Sequence, residues 1–379
     1  MLTKPIYSTL AALLLSAASG VTEARAQNQG MPDRGAVFAM TNRAAGNRVV
    51  AFTRKSDGTL RREASYATLG HGQGVDFDTQ GGLTLGRGNR FLYACNAGSD
   101  NVTVFRVQGA ELQRVQRVPA GDQPTSITLS ENFAYVLDSS VAGNGITGFR
   151  VAANGLLTPL PGSFRALSSP IAVPGEVRFS PDGRFLVVTH KVGSVLDVFS
   201  VDENGMASAR PTPYASAGPR PFALTFKDDG RLLVVESGLP AMANTGVSTY
   251  NMEPATGALS VITTSAKNGQ TDGCWIVITK NQQYAYTANF INGTISSYRV
   301  GADGSATLIN PEAGSSGPTS NVTDLSFSTD SRYLYNLLRG TGGVAGYRVE
   351  ADGSLVQVGI FGVGRDFRPS DGPSGIASY

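Results

Sequence analysis

Histidine, cysteine and charge are all scarce in this sequence. It carries two histidines, two cysteines and one tryptophan, and Asp, Glu, Lys and Arg together make up 16% of 379 residues. With only His71 and His190 available, a multi-histidine zinc site or a His-Glu-x-x-His helix is impossible. Cys95 and Cys274 are too few for a disulfide framework. The formal net charge is +2, and the charges are scattered rather than gathered into a basic stripe. That excludes nucleic acid and anionic membrane surfaces as natural partners. Gly-x-Ser-x-Gly is missing, and no Gly-x-Gly-x-x-Gly follows a strand and opens a helix. Nothing in the sequence calls for a cofactor. Calcium held by scattered carboxylates and amides stays open, but no segment resembles a dedicated calcium loop.

Long apolar runs are missing too. The longest stretch lies near the N-terminus, where Lys4 precedes a mostly apolar segment centred on Leu10-Ala-Ala-Leu-Leu-Leu15. A membrane span needs roughly 20 apolar residues, so this run is too short. Ala24-Arg25-Ala26 then places small residues where a signal peptidase reads. The expectation is a signal peptide over residues 1–26, a single domain over 27–379, no membrane insertion, and a monomer in the periplasm or outside the cell.

What is abundant is glycine, with 46 residues, and it punctuates a repeat of about fifty residues. One unit reads Val177-Arg-Phe-Ser-Pro-Asp-Gly-Arg-Phe-Leu-Val-Val-Thr-His190, then Ser194-Val-Leu-Asp-Val-Phe-Ser-Val201, then Asp202-Glu-Asn-Gly205. The same register returns from Leu325 to Tyr335 and from Gly343 to Leu355, and again from Ile276 to Tyr286 and from Gly293 to Val300. Further units begin at Leu83, Ile127 and Leu224. Each is a set of short strands with period-2 patterning, joined by Asp-Gly-Arg and Asn-Gly turns. A fourth, weaker strand follows, as in Arg114-Val-Gln-Arg-Val118. Four strands per unit predict a β-propeller blade.

Six units are complete and one is split between the chain ends. The N-terminal piece beginning at Ala36 has three strands and lacks an inner one. Gly372-Pro-Ser-Gly-Ile-Ala-Ser378 matches the missing strand, and joining the ends removes two open sheet edges. The fold class expected is all-β: a seven-bladed propeller closed by its own C-terminus.

The same register sorts side chains between the two mouths of the ring. Second strands end at Asn42, Asn96, Asp138, His190 and Asn289, and near Glu236 and Arg339, while inner strands are entered through Arg220, Asp272 and Asn321. The first inner residues include Glu176, Trp275 and Asp324. Polar groups converging on one concave end mark the expected small-molecule site. Glu236 interrupts the apolar run Leu232-Leu-Val-Val235, which makes it the candidate general acid or base. His190 and Arg220 complete the candidate catalytic set. Lys191, Glu176, Asp272, Trp275, Asn289 and Asp324 are candidate ligand-binding residues. Asn and Asp at strand ends also serve as turn brackets, and Trp275 suits packing between blades.

Through the Ser-Pro-Asp-Gly-Arg-Phe-Leu and Gly-x-Ile-Ser-x-Tyr-Arg-Val patterns the chain resembles the lactonase-type seven-bladed propellers. These include bacterial propeller-type 6-phosphogluconolactonases and fungal carboxymuconate cyclases. Gly218-Pro-Arg-Pro-Phe-Ala-Leu-Thr-Phe226 and Asn268-Gly-Gln-Thr-Asp-Gly-Cys-Trp-Ile-Val-Ile-Thr279 place it near a secreted branch of that group. The resemblance implies lactone hydrolysis or its reverse, with Arg220 holding a carboxylate and Glu236 standing near the family's acidic residue. The chain also departs from the pattern. Where those enzymes carry a Pro-His-x-His-like segment it reads Val173-Pro-Gly-Glu-Val177, and Gly218-Pro-Arg220-Pro221 loses a further histidine. Two functions follow as expectations: an exported lactonase or cycloisomerase acting on a sugar or aromatic-catabolite lactone, or a non-catalytic scaffold binding a ligand or protein at the same mouth.

Overall fold

The computed structural model describes residues 1–2 and 35–379, and the expected signal peptide lies outside them apart from its first two residues. The unit formed by Asp33–Tyr379 is a ring of seven antiparallel sheets. Its first blade pairs the C-terminal Ile376–Ser378 with Gly35–Met40, followed by Arg48–Arg54 and Leu60–Ala67. The second blade begins at Leu83–Gly86 and the third at Pro124–Leu129. The fourth to seventh start at Pro174–Phe179, Pro221–Phe226, Gly273–Ile278 and Val322–Phe327. The split blade expected from the sequence is therefore present. Its register sets Val37 against Ser378, Phe38 against Ala377 and Ala39 against Ile376. Cys95 and Cys274 stand in the second and sixth blades as buried free thiols. Among the described residues no helix is long and apolar enough to cross a membrane.

The repeated turns have a specific job at the joints between blades. Tyr93, Tyr135, Tyr286 and Tyr335 each donate their hydroxyl to a glycine carbonyl of the following blade: Gly155, Gly205, Gly353 and Gly58. Each of these glycines follows Asn or Asp in a turn and has φ between 79° and 84°. A Cβ there would also run into an aromatic ring of the preceding blade: Phe91, Phe133, Tyr284 or Tyr333. Only glycine meets both demands. The Asn-Gly and Asp-Gly signals in the repeat thus set the spacing between blades as well as ending a strand.

The inner and second strands are buried almost throughout, as in Phe185–His190 and Tyr284–Asn289. Apolar side chains from adjacent blades interlock around the ring, burying Phe38, Phe105, Trp275 and Tyr298 completely or nearly so. The C-terminal segment is further held by Arg43 on Asp371 at 2.9 Å and by Arg62 on Asp366 at 2.6 Å.

Candidate functional site

Each of five blades is entered through a residue in the left-handed region immediately before its inner strand. These are Gln123 (φ 53°), Val173 (φ 46°), Arg220 (φ 59°), Asp272 (φ 59°) and Asn321 (φ 43°). A register shift follows within each of those inner strands, between Pro124 and Ser126, Pro174 and Val177, Pro221 and Leu224, Gly273 and Trp275, and Val322 and Leu325. Left-handed backbone is unfavourable for side chains other than Gly, Asn and Asp, and such strain gathers at functional sites. These five positions form a ring at one mouth of the propeller.

That mouth is not an open funnel. The connection from the first blade to the second, residues 68–82, fills it. Gln80 forms a two-point amide clamp across the ring, donating to Ile276 O at 3.0 Å and accepting from Ile276 N at 3.0 Å. Its own backbone N–H donates to Gly175 O at 3.1 Å. Thr79 donates its hydroxyl to Thr125 O at 2.9 Å, and its carbonyl accepts Trp275 Nε1–H at 3.1 Å. Asn42 bonds Val75 O and, at 2.9 Å, Gly372 O. One segment therefore touches the first, third, fourth and sixth blades, and its polar backbone groups are met by them.

Carboxylates of the plug itself face cations of the blades, and aromatic rings lie against those cations. Lys191 Nζ donates to both Asp78 O and Asp78 Oδ2, the latter at 2.6 Å. Arg220 stands 3.8 Å from the same carboxylate, and Arg339 stands 3.6 Å from Asp76. The Phe222 ring lies 4.5 Å from Lys191 Nζ, and the Phe290 ring 5.5 Å from the Arg339 guanidinium. Trp275 packs between Phe222 and Phe290 at 5.2 and 6.3 Å. Burial raises Asp272 above the usual carboxylate range, and Asp78 adds to the rise. The Cys274 S–H bond and the charges of Arg220 and Lys191 oppose it. Burial also raises Asp76, against the pull of the Asp78 N–H, Arg339 and Lys191.

The residues singled out from the sequence divide into three groups. Arg220, Lys191 and Asp272 meet at this mouth, with Trp275 sealed beneath them at 2% exposure. Glu236, His190 and Asn289 share one repeat position at the end of their second strands, and all are 0% exposed. Each is held inside its own blade. Glu236 accepts Ser265 Oγ–H at 2.5 Å, His190 Nε2 lies 2.9 Å from Asp197 Oδ2, and Asn289 donates to Thr294 and Ser296. Burial raises Glu236 despite hydrogen bonds from Ser248 and Ser265.

Glu176 and Asp324 lie in the channel beyond the plug rather than at the mouth surface. Glu176 accepts from Arg178 at 2.6 Å and from Leu224 N at 2.8 Å, while Asp324 accepts from Leu325 N at 2.9 Å and from Ile376 N at 3.4 Å. These residues border cavities of about 250 and 260 Å³ lined by the inner strands. Asp76 and Asp78 were missed by the sequence reading. The signal was there, because the connection holding them is far longer than residues 120–123 between the next two blades and is dense in glycine.

Known proteins confirm the architecture. A family model described as "Lactonase, 7-bladed beta-propeller" matches residues 44–173, 165–239 and 236–321. A 6-phosphogluconolactonase of Serratia proteamaculans is 23% identical over 287 residues, covering 71% of this chain and 80% of that one. A crystal structure described as a putative 6-phosphogluconolactonase of Bacteroides fragilis superposes with a TM-score of 0.69 at 18% identity, covering 92% of this chain and 98% of that one. A periplasmic gluconolactonase of Pseudomonas aeruginosa gives 0.70 at 17% identity, covering 91% and 98%. With its closed ring of seven blades and a family match running from residue 44 to residue 321, this chain belongs to the seven-bladed β-propeller lactonase family.

Proposed function

We propose that the plugged mouth hydrolyses, or in reverse closes, the ester of a small uncharged lactone outside the cytosol. The observation that carries this reading is the pairing of charges there. Lys191 and Arg220 already face Asp78, and Arg339 already faces Asp76. A phosphate dianion would have to compete with two carboxylates, Asp76 and Asp78, for these cations, whereas a neutral ester carbonyl only has to approach them. A phosphorylated lactone is therefore disfavoured, although one relative is named for it. Export is supported by the leader-like residues 1–26 and fits the relative from Pseudomonas aeruginosa that is described as periplasmic.

In the forward direction Asp272 takes a proton from water as the water oxygen attacks the acyl carbon. Arg220 and Lys191 face the negative charge that develops on the carbonyl oxygen. Collapse breaks the acyl carbon to ring oxygen bond, and Asp272 returns its proton to the departing alkoxide. The product is a hydroxy acid. A carboxylate raised by burial and restrained by cations takes up a proton more readily than a free one and can still release it, which suits it to this exchange.

A non-catalytic binding propeller is the second reading, favoured by the Asp78 carboxylate already seated on Lys191. A panel of sugar, aliphatic and aromatic lactones, with 6-phosphogluconolactone included, separates the two. Turnover of an uncharged lactone, lost in Arg220→Ala, is the expected result. Preferred turnover of the phosphorylated lactone would overturn the substrate class, and binding without turnover would leave the scaffold.

A further inference from the structure

Beside Lys191 the mouth opens into a cavity of about 380 Å³, bounded by the plug and by loops of the third and fourth blades. Phe77 and Asp78 form its plug side, and Val141, Ile171 and Val173 line it from the loops. These last three are 83%, 62% and 48% exposed. Single exposed aliphatics need no explanation, but several lining one concavity mark a binding surface.

Val173 adds an independent observation. It is the β-branched member of the five left-handed residues around the mouth, the others being Gln123, Arg220, Asp272 and Asn321. A β-branched side chain is a genuine outlier there, and the buried core does not require it, since Val173 is half exposed. Its carbonyl accepts Lys191 N–H at 3.3 Å, which ties the apolar wall to the candidate reacting centre.

The polar side chains around the cavity are largely committed elsewhere. Thr125 and Ser139 bond each other at 2.5 Å, Ser140 donates to Asp122 at 2.6 Å, and Asn144 donates to Ser169 O at 2.6 Å, so the amides of Gln73 and Gln123 and the Asn144 Oδ1 are the neutral polar side-chain groups left for a ligand. A polyhydroxylated ligand would find few partners for its hydroxyls and would lose their hydration.

We infer that this cavity is an apolar subsite that takes the alkyl or aryl substituent of the lactone, while the ester reaches Lys191 and Arg220. The substrate class is then the hydrophobically substituted lactones rather than sugar lactones. This inference rests on the lactonase reading of the mouth for its ester half, and on the cavity alone for its apolar half.

The test compares γ-decalactone with γ-butyrolactone in turnover, and octanoate with butyrate in calorimetric binding. The wild type, Val173→Asn and Ile171→Asn are each measured. Hydrophobic pockets discriminate by about tenfold or more per well-buried methylene, so kcat/KM for γ-decalactone should exceed that for γ-butyrolactone at least about tenfold. Val173→Asn should erase most of that ratio without lowering Tm, because Asn is at home in the left-handed region. Octanoate should bind at least about tenfold more tightly than butyrate, again only in the wild type. If octanoate shows this preference but no lactone is turned over, the subsite stands and the reaction reading falls. If lactones are turned over without chain-length preference, or if both Asn variants keep it, the subsite is overturned. If octanoate binds no better than butyrate and nothing is turned over, both fall.

Discussion

Glu236 and Asp272 show how differently two carboxylates behave when the fold places them. Glu236 breaks an apolar strand and so draws the eye in the sequence, yet it is sealed in its blade against Ser265. Asp272 sits in an unremarkable Thr-Asp-Gly stretch and stands among Asp78, Arg220 and Lys191. We expect Asp272→Asn to fold normally and lose roughly 10²–10⁴ in turnover, the usual worth of a general acid or base. Glu236→Gln should keep turnover per folded molecule within about twofold, since a neutral amide can hold Ser265 nearly as a raised carboxyl does. Parallel kinetics and melting curves on the panel's best lactone check this. The reverse pattern would return Glu236 to the centre of the reaction.

At the scale of elements, the plug is what turns a wide channel into a site. Its hold on the ring depends on Gln80, buried at 3% exposure and bonded at both amide atoms to one residue of the sixth blade. Gln80→Ala leaves the Ile276 N–H and C=O without partners, and an unmet buried group costs about 1–3 kcal/mol. Chemical denaturation should show a loss of that size. Substrate affinity should fall further than stability alone explains, because Asp76 and Asp78 ride on the same segment. A variant as stable as the wild type would mean that the plug is not anchored through Gln80. Here the sequence was partly legible: the glycines and the length of the connection are visible, but nothing local says that it folds inward across the ring.

The whole molecule depends on closure and on buried acids. Removing residues 372–379 takes away the inner strand of the first blade and uncovers sheet edges on both sides. The deletion should lower the thermal midpoint of the entire domain in one transition, and an unchanged midpoint would refute the closing role of Ile376–Ser378. Two buried acids also make stability fall with pH. Burial pushes Asp138 to about 8 and Asp324 to about 7, well above their range in an unfolded chain. The native state therefore holds protons that the unfolded state has released. This contribution is complete below about pH 4 and is lost as pH rises through 7 and 8. The midpoint should drop between pH 5 and pH 8, and Asp138→Asn, which keeps a neutral group beside Thr147, should flatten that drop.

The repeat, the number of blades and the split first blade were all written in the sequence, because each rests on local signals: period-2 strands, Asn-Gly and Asp-Gly turns, and a C-terminal copy of the opening strand. Those signals act within a few residues or recur at a fixed spacing, so one strand of text carries them. Arg220, Lys191 and Asp272 were also legible, since the register alone assigns them to one mouth. The burial of Glu236 and His190, the inward position of Glu176 and Asp324, and the seating of Asp78 on Lys191 were decided only by the tertiary structure. Each depends on where residues 68–82 cross the ring and on which side chain finds a partner in its own blade. Those contacts join residues about two hundred positions apart or more, as Gln80 with Ile276 and Asp76 with Arg339 do, and no local preference encodes them.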